Sequence, residues 1–134
     1  MNKYQKLYLI AKASLEALEE KEKEIDRQYI AEHNIVNPDG SIPRATWAIR
    51  DDKTAEKAID ETSRMVVESG LWDQILKARK ILKEAEDNLI KYGLGIIPCQ
   101  KERKILEKAV KENYTARMKV INLILKLDTR TVKV

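Results

Sequence analysis

No phenylalanine occurs among the 134 residues, and all aromatics together make up 5% of them. A core must therefore be built from Leu, Ile, Val and Ala. Glycine occurs 4 times and proline 3 times, so little interrupts a long helix. Cys99 is the only cysteine. That excludes an intrachain disulfide and points to a reducing compartment. His33 is the only histidine, and no Glu-x-x-His step exists to build a di-iron bundle site. No stretch of about 18 apolar residues is present, the length a membrane-crossing helix needs. The N-terminal MNKYQKLYLIAKASLEALEE passes straight into charged sequence and reads as helix, not as a signal peptide. These absences set the expectations: a cytoplasmic protein with no membrane span, no cofactor, no metal and no small-molecule substrate, and not an enzyme. Acid–base or nucleophilic work would fall to Glu, Lys or Tyr alone.

What is abundant is charge and helix-forming residues. Charged side chains make up 36% of the chain, and Ala, Leu, Glu, Lys and Arg recur with helical spacing. Between Leu71 and Tyr92 the apolar residues Leu71, Ile75, Ala78, Leu82, Ala85, Leu89 and Tyr92 alternate steps of 4 and 3. At about 3.6 residues per turn this spacing draws one narrow apolar stripe. A second ladder runs through Tyr4, Tyr8, Ala11, Leu15, Leu18, Glu22, Ile25 and Tyr29. Glu22 interrupts it, either because the stripe passes solvent there or because a buried polar residue sets register.

The spacing predicts helices over 2–33, 52–69, 71–92 and 99–128, with a loop over 34–50. In the loop, Asn37-Pro38-Asp39-Gly40 is turn chemistry, with Ile35, Val36 and Ile42 positioned for a small hairpin. Trp47 and Ile49 are expected to dock on the core in a short helical turn; Trp47 and Trp72 read as core anchors, with exposed hot-spot residues the alternative. Asp51 or Asp52 offers an N-cap. A break or kink is expected at Ser69-Gly70. Gly93 reads as a C-terminal cap, and Pro98 as the stop after it. The last helix carries Leu106, Val110, Tyr114, Met118, Ile121 and Leu125 on its core side, and 129–134 reads as a frayed tail. The fold class expected is all-α: an antiparallel bundle or long helical hairpin of three to four helices with coiled-coil-like heptads, in one domain over 1–134.

The net charge of +4 is unevenly spread along the chain. Residues 1–33, 34–70 and 71–93 sum to −1, −2 and +1, and residues 94–134 to +6. Within that last segment Lys101, Lys104, Lys108, Lys111, Lys119 and Lys126 keep near one helical face. They are the candidate surface for an acidic partner or for nucleic acid, by backbone contact since no aromatics interleave them. Glu84, Glu86 and Asp87 read as a solvated face. The candidate helix–helix interface is Leu71, Ile75, Leu82, Leu89, Leu15, Leu18 and Ile25. The function expected is a helical interaction protein that self-associates or docks on a macromolecular partner; the alternative is a nucleic-acid backbone binder.

Residues 4–71 carry a Glu-rich helix, the turn NPDGSIP, a second helix and Gly70-Leu71. In that order they resemble the helical core of one group of phage small terminase subunits. The resemblance implies a viral or mobile-element accessory protein, such as a DNA-packaging subunit. The helix-turn-helix that precedes this core in that family has no counterpart before Tyr4.

Overall fold

A computed structural model describes residues 2–127. The elements are α1 (Lys3–Glu32), a 3₁₀ turn (Thr46–Ala48), α2 (Asp52–Glu68), α3 (Leu71–Ile96), α4 (Gln100–Glu112) and α5 (Tyr114–Leu125). The protein is all-α, with five α-helices where three or four were expected. No strand forms among the described residues, so Val36 and Ile42 make no hairpin and are exposed. The chain divides into two compact units, Met1–Ala13 with Arg79–Val134 and Ser14–Ala78. Each holds its own core.

In the unit made of the chain's two ends, Tyr8, Leu89, Ile90, Leu94, Val110, Ile121 and Ile124 form the buried cluster. Gly93 sits inside α3 and not at its end. A Cβ there would meet Ile124 Cδ1 at 2.2 Å and Cγ1 at 2.5 Å, well inside the usual carbon–carbon contact of about 3.5 Å. The glycine read as a cap is therefore a close-approach position that lets α5 lie against α3, and α3 continues to Ile96 before Pro98. Gln5 is 1% exposed and joins both chain ends of this unit. Its backbone N–H donates to Asn2 Oδ1 at 2.9 Å, and its Oε1 accepts from Asn2 N–H at 2.8 Å. That reciprocal pair is a capping box at the start of α1. Its Nε2 donates to the carbonyl of Ile124 at 2.7 Å and of Leu127 at 3.4 Å, tying the start of α1 to the chain leaving α5. Tyr4 stacks on Tyr92 with centroids 5.5 Å apart.

The second unit packs Tyr29, Ile30, Ile49 and Ala58, with Ile35 and Ala55 against them. The end of α1 is a Schellman motif: Asn34 takes φ +52°, Ile35 N–H donates to the Ile30 carbonyl at 3.0 Å, and Ile35 covers Ile30. His33 belongs to this cap. It stacks on Tyr29, and its Nδ1 lies 2.9 Å from the Tyr29 carbonyl oxygen. Asn37 to Gly40 turns as its sequence dictates: Gly40 N–H donates to the Asn37 carbonyl at 2.8 Å, with φ +86° at Gly40. Asp51 caps α2 by accepting from Thr54 N–H at 3.0 Å and from the Thr54 hydroxyl. Those two bonds, the hydroxyl's first, hold its carboxyl below the usual range. Between α2 and α3 the chain breaks at Gly70, φ +81°.

Candidate interaction surface

The last helical segment is two helices, because Asn113 leaves the helical region at φ −136°, ψ 114°. Its Oδ1 accepts from Thr115 and Ala116 N–H at 2.9 and 3.2 Å and so starts α5 afresh. The break resets the helical phase. Tyr114, expected on the core side, opens α5 and is 74% exposed. The six lysines accordingly do not lie along one rod. Lys101, Lys104, Lys108 and Lys111 share the face of α4 opposite Leu106 and Val110, and all four are exposed. Lys119 is exposed on α5, and Lys126 is exposed as its C-cap. Ile105 lies beside the α4 lysines and is 68% exposed. An apolar side chain therefore joins the basic surface.

The seven residues of the candidate helix–helix interface are inside the chain's own packing. Leu71, Ile75, Leu89 and Leu15 are buried, and Leu82, Leu18 and Ile25 are half-buried. Leu82 and Leu89 belong to the core of the end-to-end unit. What reaches solvent is a different apolar set. Trp47 was expected on the core, but the 3₁₀ turn docks by Thr46 and Ile49 and leaves the indole 78% exposed. Trp72, also expected on the core, is 36% exposed. Ile59, Val67 and Leu76 are exposed with it.

Charge is segregated between the two units far more sharply than along the sequence. Met1–Ala13 with Arg79–Val134 carries seventeen basic and seven acidic side chains, a net of +10. Ser14–Ala78 carries nine basic and fifteen acidic side chains, a net of −6. The reason is that α1 itself is divided. Its first residues hold Lys3, Lys6 and Lys12 without an acid, whereas the KEKEID stretch and its neighbours fall in the acidic unit. Read as one helix, the two halves cancel.

Several of the acids are committed. On α1, Arg27 bonds Glu20 at 2.5 Å and Glu24 at 2.6 Å, all three exposed; the Arg27 guanidinium lowers the Glu20 carboxyl. Glu86 and Asp87 are not simply a solvated face: Arg117 reaches them from α5 at 3.4 and 2.7 Å, with the Glu86 and Arg117 side chains only 16% and 19% exposed. Burial works to lower the Arg117 pKa, but the bond to Asp87 and the field of Glu86 outweigh it, and the net shift is upward. Tyr29 donates its hydroxyl to Glu61, and that bond first, with burial second, pushes its pKa up to about 12. The same bond lowers Glu61, helped by Lys57, His33 and Arg64. Cys99 is exposed at the N-cap of α4, where its side chain makes no capping bond. Gln5, Asn113 and Arg117 are the structurally decisive polar residues that spacing did not single out. Asn2-x-x-Gln5 was the one readable signal among them, as a capping box before an apolar run. Among the described residues no helix is long and apolar enough to cross a membrane. Comparison with protein-family models, with curated proteins and with solved structures finds no match to this chain.

Proposed function

We propose that this protein is a non-enzymatic helical interaction protein, docking through the lysine face of α4 on an acidic macromolecular surface. The observation that carries the reading is the charge segregation, +10 in one unit against −6 in the other. Lys101, Lys104, Lys108 and Lys111 add to it, standing exposed on the side of α4 away from its core residues. Opposed fields of this size steer partners and raise association rates, most strongly at low salt. The exposed Ile105 gives such a face apolar contact as well as charge.

The net +10 also favours a second reading, in which the same lysines meet nucleic-acid phosphates. One experiment separates the two. The purified protein and its Lys104→Glu, Lys108→Glu, Lys111→Glu variant are offered to an acidic polypeptide, poly-glutamate, and to duplex DNA across a salt series. The proposal expects poly-glutamate binding that the variant loses while its circular dichroism is unchanged. A DNA affinity falling with a log–log salt slope of about −0.9 per phosphate contact selects the second reading. Equal binding by variant and parent removes the lysine face from both.

A further inference from the structure

The acidic unit has a groove of about 420 Å³, lined among others by Glu22, Asp26, Thr46, Ile59, Val67 and Trp72. Asp26 is engaged, accepting from Thr46 N–H at 3.3 Å and from its hydroxyl at 3.2 Å. Glu22 is half-buried and makes no hydrogen bond or ion pair among the described residues. One wall is therefore carboxylate. The other is apolar, with Ile59, Val67 and Trp72 at 42%, 61% and 36% exposure. Leu76, one helical turn past Trp72, is 45% exposed and extends this surface. A groove of this make-up fits an apolar side chain flanked by cations.

That description matches α4. Ile105 is exposed, with Lys101 and Lys108 beside it at −4 and +3, close neighbours on a helix surface, and Lys104 on the same basic side. We infer that the groove of one copy receives the Lys101–Lys108 face of α4 from a second copy. Ile105 then enters among Ile59, Val67 and Trp72, and the lysines face Glu22 and the rim of a unit of net charge −6. The inference rests on the proposed role of the lysine face and names its acidic partner as this same chain. Charge complementarity selects that occupant: groove and face are opposite in sign, and the one exposed apolar residue of the face, Ile105, meets the three of the groove, Ile59, Val67 and Trp72. The contact is heterologous, because groove and face are different surfaces. An open assembly keeps one groove and one face unsatisfied, so it closes into a ring or grows as a filament. It also accounts for Glu22, the one polar interruption in the α1 ladder, as a residue placed for a ligand.

Sedimentation velocity over a concentration series, in low and in high salt, tests this. The expected result is an average mass that rises with concentration at low salt and falls to that of a monomer at high salt. Two variants then divide the contact: Lys101→Glu, Lys104→Glu, Lys108→Glu on α4, and Glu22→Lys, Val67→Lys in the groove. All five positions are exposed or half-buried, and circular dichroism checks that both variants keep the parent's helicity. Each alone is expected to be a monomer, since like charges then meet, and mixing the two is expected to restore association. A parent that is monomeric throughout the low-salt series, or a mixture that stays monomeric, overturns the inference. If the parent is monomeric yet its lysine face still binds poly-glutamate, the proposed function stands and only the self-association is lost. If the α4 variant associates as the parent does, the Lys101–Lys108 face is rejected as the self-contact, and the proposed function rests on poly-glutamate binding alone.

Discussion

Replacing Gly93 by alanine sets two effects of known sign against each other. Alanine is favoured over glycine inside a helix by about 1 kcal/mol. Against this, the new methyl would stand 2.2 Å from Ile124 Cδ1 and 2.5 Å from Cγ1. Ile124 is 5% exposed and packed in the same cluster as Leu89, Leu94 and Ile121, so it has little room to withdraw. Overpacking of this kind costs about 1–3 kcal/mol, so the net effect is a loss of about 1 kcal/mol. Gly95 supplies the control. It lies in the same helix, and a Cβ there meets nothing within 4 Å; Gly95→Ala should stabilise by about 1 kcal/mol. The difference between the two alanine variants is then the steric cost alone. Urea unfolding followed by circular dichroism reads both. Ile124→Val removes the nearer clashing atom; alone it should cost about 1 kcal/mol, but in the Gly93→Ala background it should cost less or nothing. Gly93→Ala unfolding at as high a urea concentration as Gly95→Ala would show that α3 and α5 do not approach as described.

Gln5→Ala removes a helix-start box and the donor to the Ile124 and Leu127 carbonyls, and should cost about 1–3 kcal/mol in the same urea assay. Gln5→Glu should be more stable at pH 4 than at pH 7, because only the protonated acid can donate to the Ile124 carbonyl; equal stability at both would argue against that bond. Tyr29 has a folded pKa of about 12 against an ordinary 10.0. Its hydroxyl therefore favours folding below pH 10, and that contribution disappears as pH rises through about 12. Tyr29→Phe should flatten the fall in urea midpoint between pH 9 and pH 11.5, and an unchanged slope would detach the hydroxyl from Glu61. Asn113→Ala should cost about 1 kcal/mol by uncapping α5, with no change in midpoint as the contrary result.

The local grammar of this chain was legible from its residues. Turn chemistry at Asn37–Gly40, the Asp51 cap, the break at Gly70 and the stop at Pro98 act over a few residues, where backbone stereochemistry outweighs everything distant. Composition and spacing pointed to an all-α protein, since Ala, Leu, Glu and Lys recur at helical spacing, but the small hairpin that Ile35, Val36 and Ile42 suggested does not form. Features set by neighbours remote in sequence were not legible. Gly93 reads as a cap until Ile124, 31 residues away, is seen against it. Tyr114 reads as core until Asn113 turns the helix and resets its phase. Trp47 reads as an anchor because bulk usually buries, yet Thr46 and Ile49 fill that place. The 129–134 tail lies outside the described residues. The charge pattern shows the division most clearly. Counting along the chain finds a modest basic end, because each helix is counted whole. Folding assigns the two halves of α1 to different units and joins the first lysines to the last. Helical spacing depends on bonds between near neighbours and can be read from sequence, but a surface field sums over residues that only tertiary packing brings together.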